Sequence, residues 1–136
     1  MTENPATTQQ LTRNQGLVFD VLSHSENPLS AYTILDKLRD SGFRAPLQVY
    51  RALDKLLEFG LVHRLESINA FVACAHPDEG CHAHGITAFT ICETCGKVTE
   101  FHDHVIEDRL KGFARDRNFK TGRTTIEIRG TCAGCA

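Results

Sequence analysis

The chain has 136 residues, of which 41% are hydrophobic and 24% charged, and its formal net charge is −2 at pH 7. This composition is typical of a globular protein with one core or two small ones. Because no apolar run approaches a membrane span and the polar start is unlike a signal peptide, we expect a cytoplasmic protein with no membrane partner. The balanced charge means that any surface for nucleic acid has to be local.

The first forty residues predict two amphipathic helices. The first would run from about Thr8 to Ser23, with one apolar stripe formed by Leu11, Val18, Val21 and Leu22. Ser30 is a suitable N-cap for the second helix, which we expect to end at Gly42. Its apolar residues recur with helical spacing at Ala31, Ile34, Leu35 and Leu38.

A third helix is predicted to begin at Pro46 and to end at Gly60. Its apolar stripe would consist of Leu47, Tyr50, Leu53, Leu56 and Leu57, which makes core packing one interpretation of Tyr50. The opposite, polar face would carry Gln48, Arg51 and Lys55. From that face, Arg51 can reach a guanine edge or a phosphate of a DNA duplex.

Two short strands, Leu61 to Glu66 and Ala70 to Cys74, are predicted to form a hairpin with a turn at 67–69. Three helices followed by a β-hairpin are the pattern of a winged-helix DNA-binding domain, here residues 1–76. The helix beginning near Pro46 would be the second helix of its helix-turn-helix. Arg64, on the wing, is a candidate phosphate or minor-groove contact.

The rest of the chain predicts a ligand-rich hinge, residues 77–86, and a second small unit, residues 87–136. The unit would contain strands at 87–91, 97–101 and 124–129, with a helix from Asp103 to about Arg115. The expected fold class is therefore α+β, a winged-helix domain followed by a small C-terminal α/β domain. A unit of about 50 residues needs a metal, a partner or both to be stable.

Two CxxC motifs dominate the second unit and consist of Cys92, Cys95, Cys132 and Cys135. In a reducing compartment, paired cysteines bind metal more often than they form disulfides. Two such motifs after two strands provide four thiolates for a tetrahedral structural Zn²⁺. A dithiol redox motif is the alternative.

Further potential ligands cluster outside these motifs, in the wing, the hinge and the start of the second unit. They are His63, Cys74, His76, Cys81, His82, His84, Glu100, His102 and His104. This mixed nitrogen, sulfur and oxygen set suits Zn²⁺ better than Mn²⁺ or Fe²⁺. A metal held by ligands from both units would favour one arrangement of the DNA-binding domain.

The sequence resembles the ferric uptake regulator (Fur) family over nearly its whole length. The resemblance rests on the run from Pro46 to Arg64, on the CxxCGKV that follows a His-rich linker, and on the terminal CxxC. Within the family it is most similar to the zinc uptake regulator branch, which has a Cys at the end of the wing hairpin. That similarity implies a regulatory zinc site formed by His63, Cys74, His84 and Glu100.

The resemblance leaves part of the metal chemistry open. Cys81 and His82 are alternatives to His84 as the third ligand. Some relatives have a further site with a linker His, a helix Glu and a final-strand His; His82 and Glu107 match the first two, but Thr124-Thr125 stands where the last is expected. That site is therefore incomplete unless His102 or His104 substitutes.

The resemblance also implies a function. A homodimer paired through its C-terminal domains would bind a palindromic operator when zinc-loaded and repress zinc-uptake genes. Each subunit would bind at least two Zn²⁺, one structural and one regulatory. The residues expected to contact the double-stranded DNA are Gln48, Tyr50, Arg51, Lys55 and Arg64.

The sequence permits three other interpretations. A zinc hydrolase or deaminase is disfavoured because the HxE…PCxxC arrangement is missing, so we expect no catalytic residue and no small-molecule substrate. A thiol redox switch is suggested by Cys74 and Cys81, and would respond to oxidant rather than to chelator. An iron- or peroxide-responsive regulator of the same family is the third.

Overall fold

Residues 11–75 and 86–136 are described in the computed structural model, and the chain divides into two units, Met1–Gly80 and Cys81–Ala136. Almost all of the predicted hinge, including Cys81, His82 and His84, lies outside the described residues, as does His76. No helix in the described part is long and apolar enough to cross a membrane.

Both of the first two helices begin at side-chain caps: the cap of the second, Ser30, was predicted, whereas the first helix begins at Arg13 and not at about Thr8. Helix α1, Arg13–Ser23, starts with a capping box: the Thr12 hydroxyl accepts the backbone N–H of Gln15, whose side chain accepts the N–H of Thr12. Helix α2, Ala31–Leu38, is capped by Ser30, whose hydroxyl accepts from the N–H of Thr33. A single 3-10 turn, Arg39–Ser41, follows it.

Helix α3, Pro46–Glu58, buries a face different from the one predicted. The buried residues are Val49, Ala52, Leu53 and Leu56, whereas Leu47 is 56% exposed and Tyr50 36% exposed. The predicted stripe was therefore wrong at its first two positions. Leu53 and Leu56 lie at helical spacing from Val49 and Ala52 as well as from Tyr50, so periodicity alone permits both faces.

The wing is a short antiparallel hairpin. Strand β1, Val62–Leu65, pairs with β2, Ala70–Ala73, in a register that places Val62 opposite Ala73. Leu29 and Phe71 exchange two backbone hydrogen bonds, 3.0 and 2.8 Å long, so the segment before α2 adds an isolated bridge to the hairpin. Three helices with this hairpin form a winged helix.

One apolar core joins the three helices to the wing. Its members come from the three helices, both wing strands and the adjoining loops, and are the following buried side chains: Val18, Leu22, Leu29, Ala31, Ile34, Leu35, Leu38, Phe43, Val49, Ala52, Leu53, Leu56, Leu61, Val62 and Phe71. Because this core includes the buried face of α3, packing fixes which face of α3 points outward.

The second unit is a three-stranded mixed sheet with one helix. Strands β3, Ile86–Cys92, β4, Val98–Phe101, and β5, Thr124–Gly130, are arranged in the order β4-β3-β5. β3 pairs antiparallel with β4 and parallel with β5. Helix α4, His104–Asp116, connects β4 to β5 and is capped by Asp103, whose carboxylate accepts two backbone N–H groups at 2.9 and 3.1 Å.

Candidate metal centre and DNA-binding surface

The parallel pairing of β3 with β5 brings the two CxxC motifs together. Cys92 ends β3 and lies opposite Gly130, the last residue of β5, so both motifs leave the same end of the sheet. The N–H of Glu93 donates to the carbonyl of Gly130 at 2.8 Å and extends the pairing into the first motif. In this way the sheet closes the long sequence gap between the motifs.

The four sulfur atoms are arranged as a tetrahedral zinc site requires. All four lie within 4.8 Å of one another, and the sulfurs of Cys95 and Cys132 are 3.8 Å apart. Ligands about 2.3 Å from a tetrahedral Zn²⁺ are separated by about 3.8 Å. Gly96, at φ 80°, forms the first turn with a backbone conformation that a side chain would strain. The donor set and its spacing therefore fit zinc.

Backbone groups favour the thiolate at one corner of this site. The N–H of Cys132 donates to the sulfur of Cys92 at 3.3 Å, and the N–H of Cys95 does so at 3.4 Å. These hydrogen bonds lower the pKa of Cys92 to about 5. Hydrogen bonding with the sulfurs of Cys132 and Cys95 instead raises the pKa of Cys135 to about 12.

Two of the predicted regulatory ligands lie side by side on the wing. His63 is on β1 opposite Val72, and Cys74 follows β2 two positions after Val72, so both side chains point to one face of the hairpin. Their ligand atoms lie within 4.8 Å of each other, and Cys74 is held by a 2.8 Å bond from its N–H to the carbonyl of Leu61. The wing thus offers one imidazole and one thiol together.

The remaining predicted ligands that are described belong to the second unit. Glu100 is on β4, and its carboxylate is 3.4 Å from Nε2 of His102. His104 begins α4 and is exposed. Glu107 is 4% exposed on α4, with one carboxylate oxygen 4.0 Å from Nζ of Lys111. Among the described residues, His102, His104 and Glu107 do not gather into a group of three ligands.

The outward face of α3 carries most of the predicted DNA contacts. Tyr50, Arg51 and Lys55 are exposed, which overturns core packing as the interpretation of Tyr50. Gln48 has a role that the sequence analysis missed: its side-chain oxygen accepts the N–H of Arg44 at 2.6 Å and that of Ala45 at 3.1 Å. It therefore caps the start of α3, and the Gln at the third helical position is the signal for this.

Arg64 on the wing is exposed, as a DNA contact requires. Its guanidinium lies 3.4 Å from the side-chain oxygen of Asn69 and 5.9 Å from the centre of the Phe71 ring. These contacts orient the side chain on the hairpin. Tyr32 on α2 and Leu47 on α3 are also exposed, but they were not among the predicted DNA contacts. In a single sequence they cannot be told from core residues, because the sequence does not give their burial.

A winged helix followed by a small cysteine-rich zinc-binding unit defines a class of metal-responsive transcription regulators. Residues 7–129 match the model of the ferric uptake regulator family, and the chain belongs to that family. It is accordingly a transcription regulator and not an enzyme.

Within the family, the chain is similar to zinc uptake regulators. The chain is 39% identical to the zinc uptake regulation protein of Escherichia coli (strain K12) over 127 residues, which cover 93% of this chain and 72% of that one. It also matches a zinc uptake regulator complexed with zinc and DNA, with a TM-score of 0.86, 37% identity and coverage of 96% and 86%. Holo XcZur matches with a TM-score of 0.83, 36% identity and coverage of 95% and 90%.

Proposed function

We propose that this protein is a zinc-responsive repressor that binds palindromic operator DNA as a homodimer and controls zinc-uptake genes. The observation that carries zinc as the sensed metal is the pairing of His63 with Cys74 on the wing, because a thiolate beside an imidazole suits Zn²⁺ better than Fe²⁺ or Mn²⁺. The similarity to zinc uptake regulators supports the same choice. Operator DNA also implies action in the cytoplasm, where thiols remain reduced.

Each subunit would hold at least two zinc ions. Cys92, Cys95, Cys132 and Cys135 would hold the structural ion, which stabilises the second unit. His63, Cys74, His84 and Glu100 would hold the regulatory ion, with Cys81 or His82 as alternatives to His84. When bound, that ion would favour the DNA-competent arrangement of the winged helix.

The outward face of α3 would read the operator from the major groove. Arg51 would contact a guanine edge or a phosphate, Lys55 a phosphate, and Tyr50 a base or the backbone. Arg64, on the wing, would contact the backbone or the minor groove. Gln48 keeps two amide hydrogens for DNA while its oxygen caps the helix.

The second unit would form the dimer interface. Val105 and Phe113 on α4 are 71% and 57% exposed, and Phe119 and Ile128 are also exposed. Phe113 and Phe119 line a cavity of about 280 Å³ whose walls are mainly apolar atoms of α4 and the segment before β5. Such a concentration of apolar surface on so small a unit is typical of a protein–protein interface.

The proposal is tested by operator binding after chelator stripping, with Zn²⁺, Fe²⁺ or Mn²⁺ added back separately. We expect Zn²⁺ alone to restore tight binding, and the Cys74→Ser variant to lose this response while retaining the zinc of its four-cysteine site. The matched control is Cys95→Ser, which should lose structural zinc instead. Full zinc-dependent binding by Cys74→Ser would rule out the regulatory site proposed.

The same measurement separates the other candidate functions. Restoration by Fe²⁺ would identify an iron-responsive regulator. A response to oxidant with no response to chelator would identify a thiol redox switch. Either result would contradict zinc sensing while leaving membership of the family intact.

A further inference from the structure

The first turns of α3 carry an exposed leucine that the winged-helix core does not use. Leu47 is the second residue of the helix and is 56% exposed, whereas the core takes its α3 side chains from the opposite face. Tyr50 and Arg51 are three and four positions further on, so they lie beside Leu47 on one surface. Leu47, Tyr50 and Arg51 therefore form a mixed apolar and cationic strip.

Charge around this strip favours DNA as its occupant. Arg44, just before the helix, and Lys55, more than two turns into it, are both exposed. Asp54 is also exposed and lies in line with Leu47, about two turns away. A carboxylate is repelled by phosphates, so Asp54 disfavours approach of the DNA backbone at its end of the strip, whereas Leu47 is located at the other end, in the first turn of the helix.

A leucine has no hydrogen-bond donor for a phosphate or a base edge. The apolar group that a base presents in the major groove is the C5-methyl of thymine. Residues near the N-terminus of a recognition helix are the ones that contact base edges. Resting on the proposed function, we infer that Leu47 is a specificity-determining residue that packs against a thymine methyl of the operator.

The experiment uses the full zinc-loaded chain and an operator selected from random-sequence duplexes. Each thymine is replaced singly by deoxyuridine, which removes only the methyl group, and affinity is measured for the wild type, Leu47→Ala and Leu47→Met. Leu47→Ala should fold normally because the position is exposed and alanine is a good helix former. Leu47→Met is the matched control, since it retains an apolar side chain of similar volume.

At one or two thymines per half-site, we expect deoxyuridine to weaken binding by the wild type and Leu47→Met about fourfold, the effect of burying one methyl group. Leu47→Ala should bind both duplexes equally at those positions. An equal deoxyuridine effect in Leu47→Ala and wild type, or no effect at any thymine in the wild type, would overturn the inference. Failure to select any zinc-dependent operator would instead overturn the proposed function, and the inference with it.

Discussion

Cys92 and Cys135 belong to one site, but the pKa values of their thiols differ widely. Two backbone N–H groups stabilise the Cys92 thiolate and lower its pKa to about 5, whereas hydrogen bonding with neighbouring sulfurs raises the pKa of Cys135 to about 12. In the metal-free protein at neutral pH, Cys92 is therefore already a thiolate and Cys135 is still a thiol. A metal that needs four thiolates has to displace the proton of Cys135.

Zinc binding to the four-cysteine site should accordingly release protons, and the number should rise as the solution becomes acidic. Calorimetric titration of the Cys74→Ser variant, with a competing chelator and buffers of different ionisation enthalpy, measures this number. At pH 7 we expect at least one proton, from Cys135. As pH falls through about 5, Cys92 gains a proton too, so one more is released and the apparent zinc affinity falls. Binding at pH 7 with no proton release would contradict this assignment.

The two faces of helix α3 have different expected roles. The buried face stabilises the first unit, and the outward face is proposed to contact DNA. Leu53 is fully buried among the core residues of the first unit, while Leu47 on the outward face makes little use of that core. The two leucines are on the same helix and have the same chemistry. Their substitution by alanine therefore compares the two faces directly.

We expect Leu53→Ala to lower the free energy of unfolding of the first unit by about 2–5 kcal/mol, because it leaves a cavity. Leu47→Ala should change it by less than about 0.5 kcal/mol, as is usual for exposed positions. Tyrosine fluorescence during urea unfolding reports this unit alone, since both tyrosines of the chain, Tyr32 and Tyr50, lie in it and there is no tryptophan. Equal losses for the two variants would show that the outward face also supports the fold.

Features that depend on residues close together in the sequence could be predicted, whereas features that depend on long-range packing could not. The cap at Ser30 and the two CxxC motifs are local signals, and the start of α2 and the four-cysteine site were predicted from them. The buried face of α3 depends on what packs against it, and Tyr50 resembles a core residue in a single sequence. The parallel pairing of β3 with β5 depends on long-range contacts, and the CxxC motifs indicated only that some sheet had to join them.

The second unit, which is not the proposed DNA-binding unit, exposes apolar side chains and one unpaired strand edge within the described residues. Val105, Phe113 and Phe119 are exposed in the second unit, and β5 pairs with a strand on only one side within the described residues. An unpaired edge and exposed aromatic side chains are both features that a partner subunit covers. A second copy of the chain is the partner that the proposed homodimer provides.

The Phe113→Glu variant should therefore shift the zinc-loaded protein from dimer toward monomer, because a carboxylate would have to be buried in the interface. Light scattering coupled to size-exclusion chromatography gives the mass directly. Tyr32→Glu is a matched control, since it introduces the same charge at an exposed aromatic position in the other unit and should leave the mass unchanged. A dimer that survives Phe113→Glu would place the interface elsewhere.

The register of β3 against β5 has a consequence for how the second unit folds. Ile86 pairs with Thr124 across a long stretch of chain, and such distant parallel pairings form slowly. A shift of one residue would displace the second CxxC motif by about 3.3 Å along the strand. Four sulfurs about 2.3 Å from one ion do not tolerate that displacement. A misaligned chain would bind zinc poorly, so zinc binding would favour chains whose β3 and β5 are in the observed register.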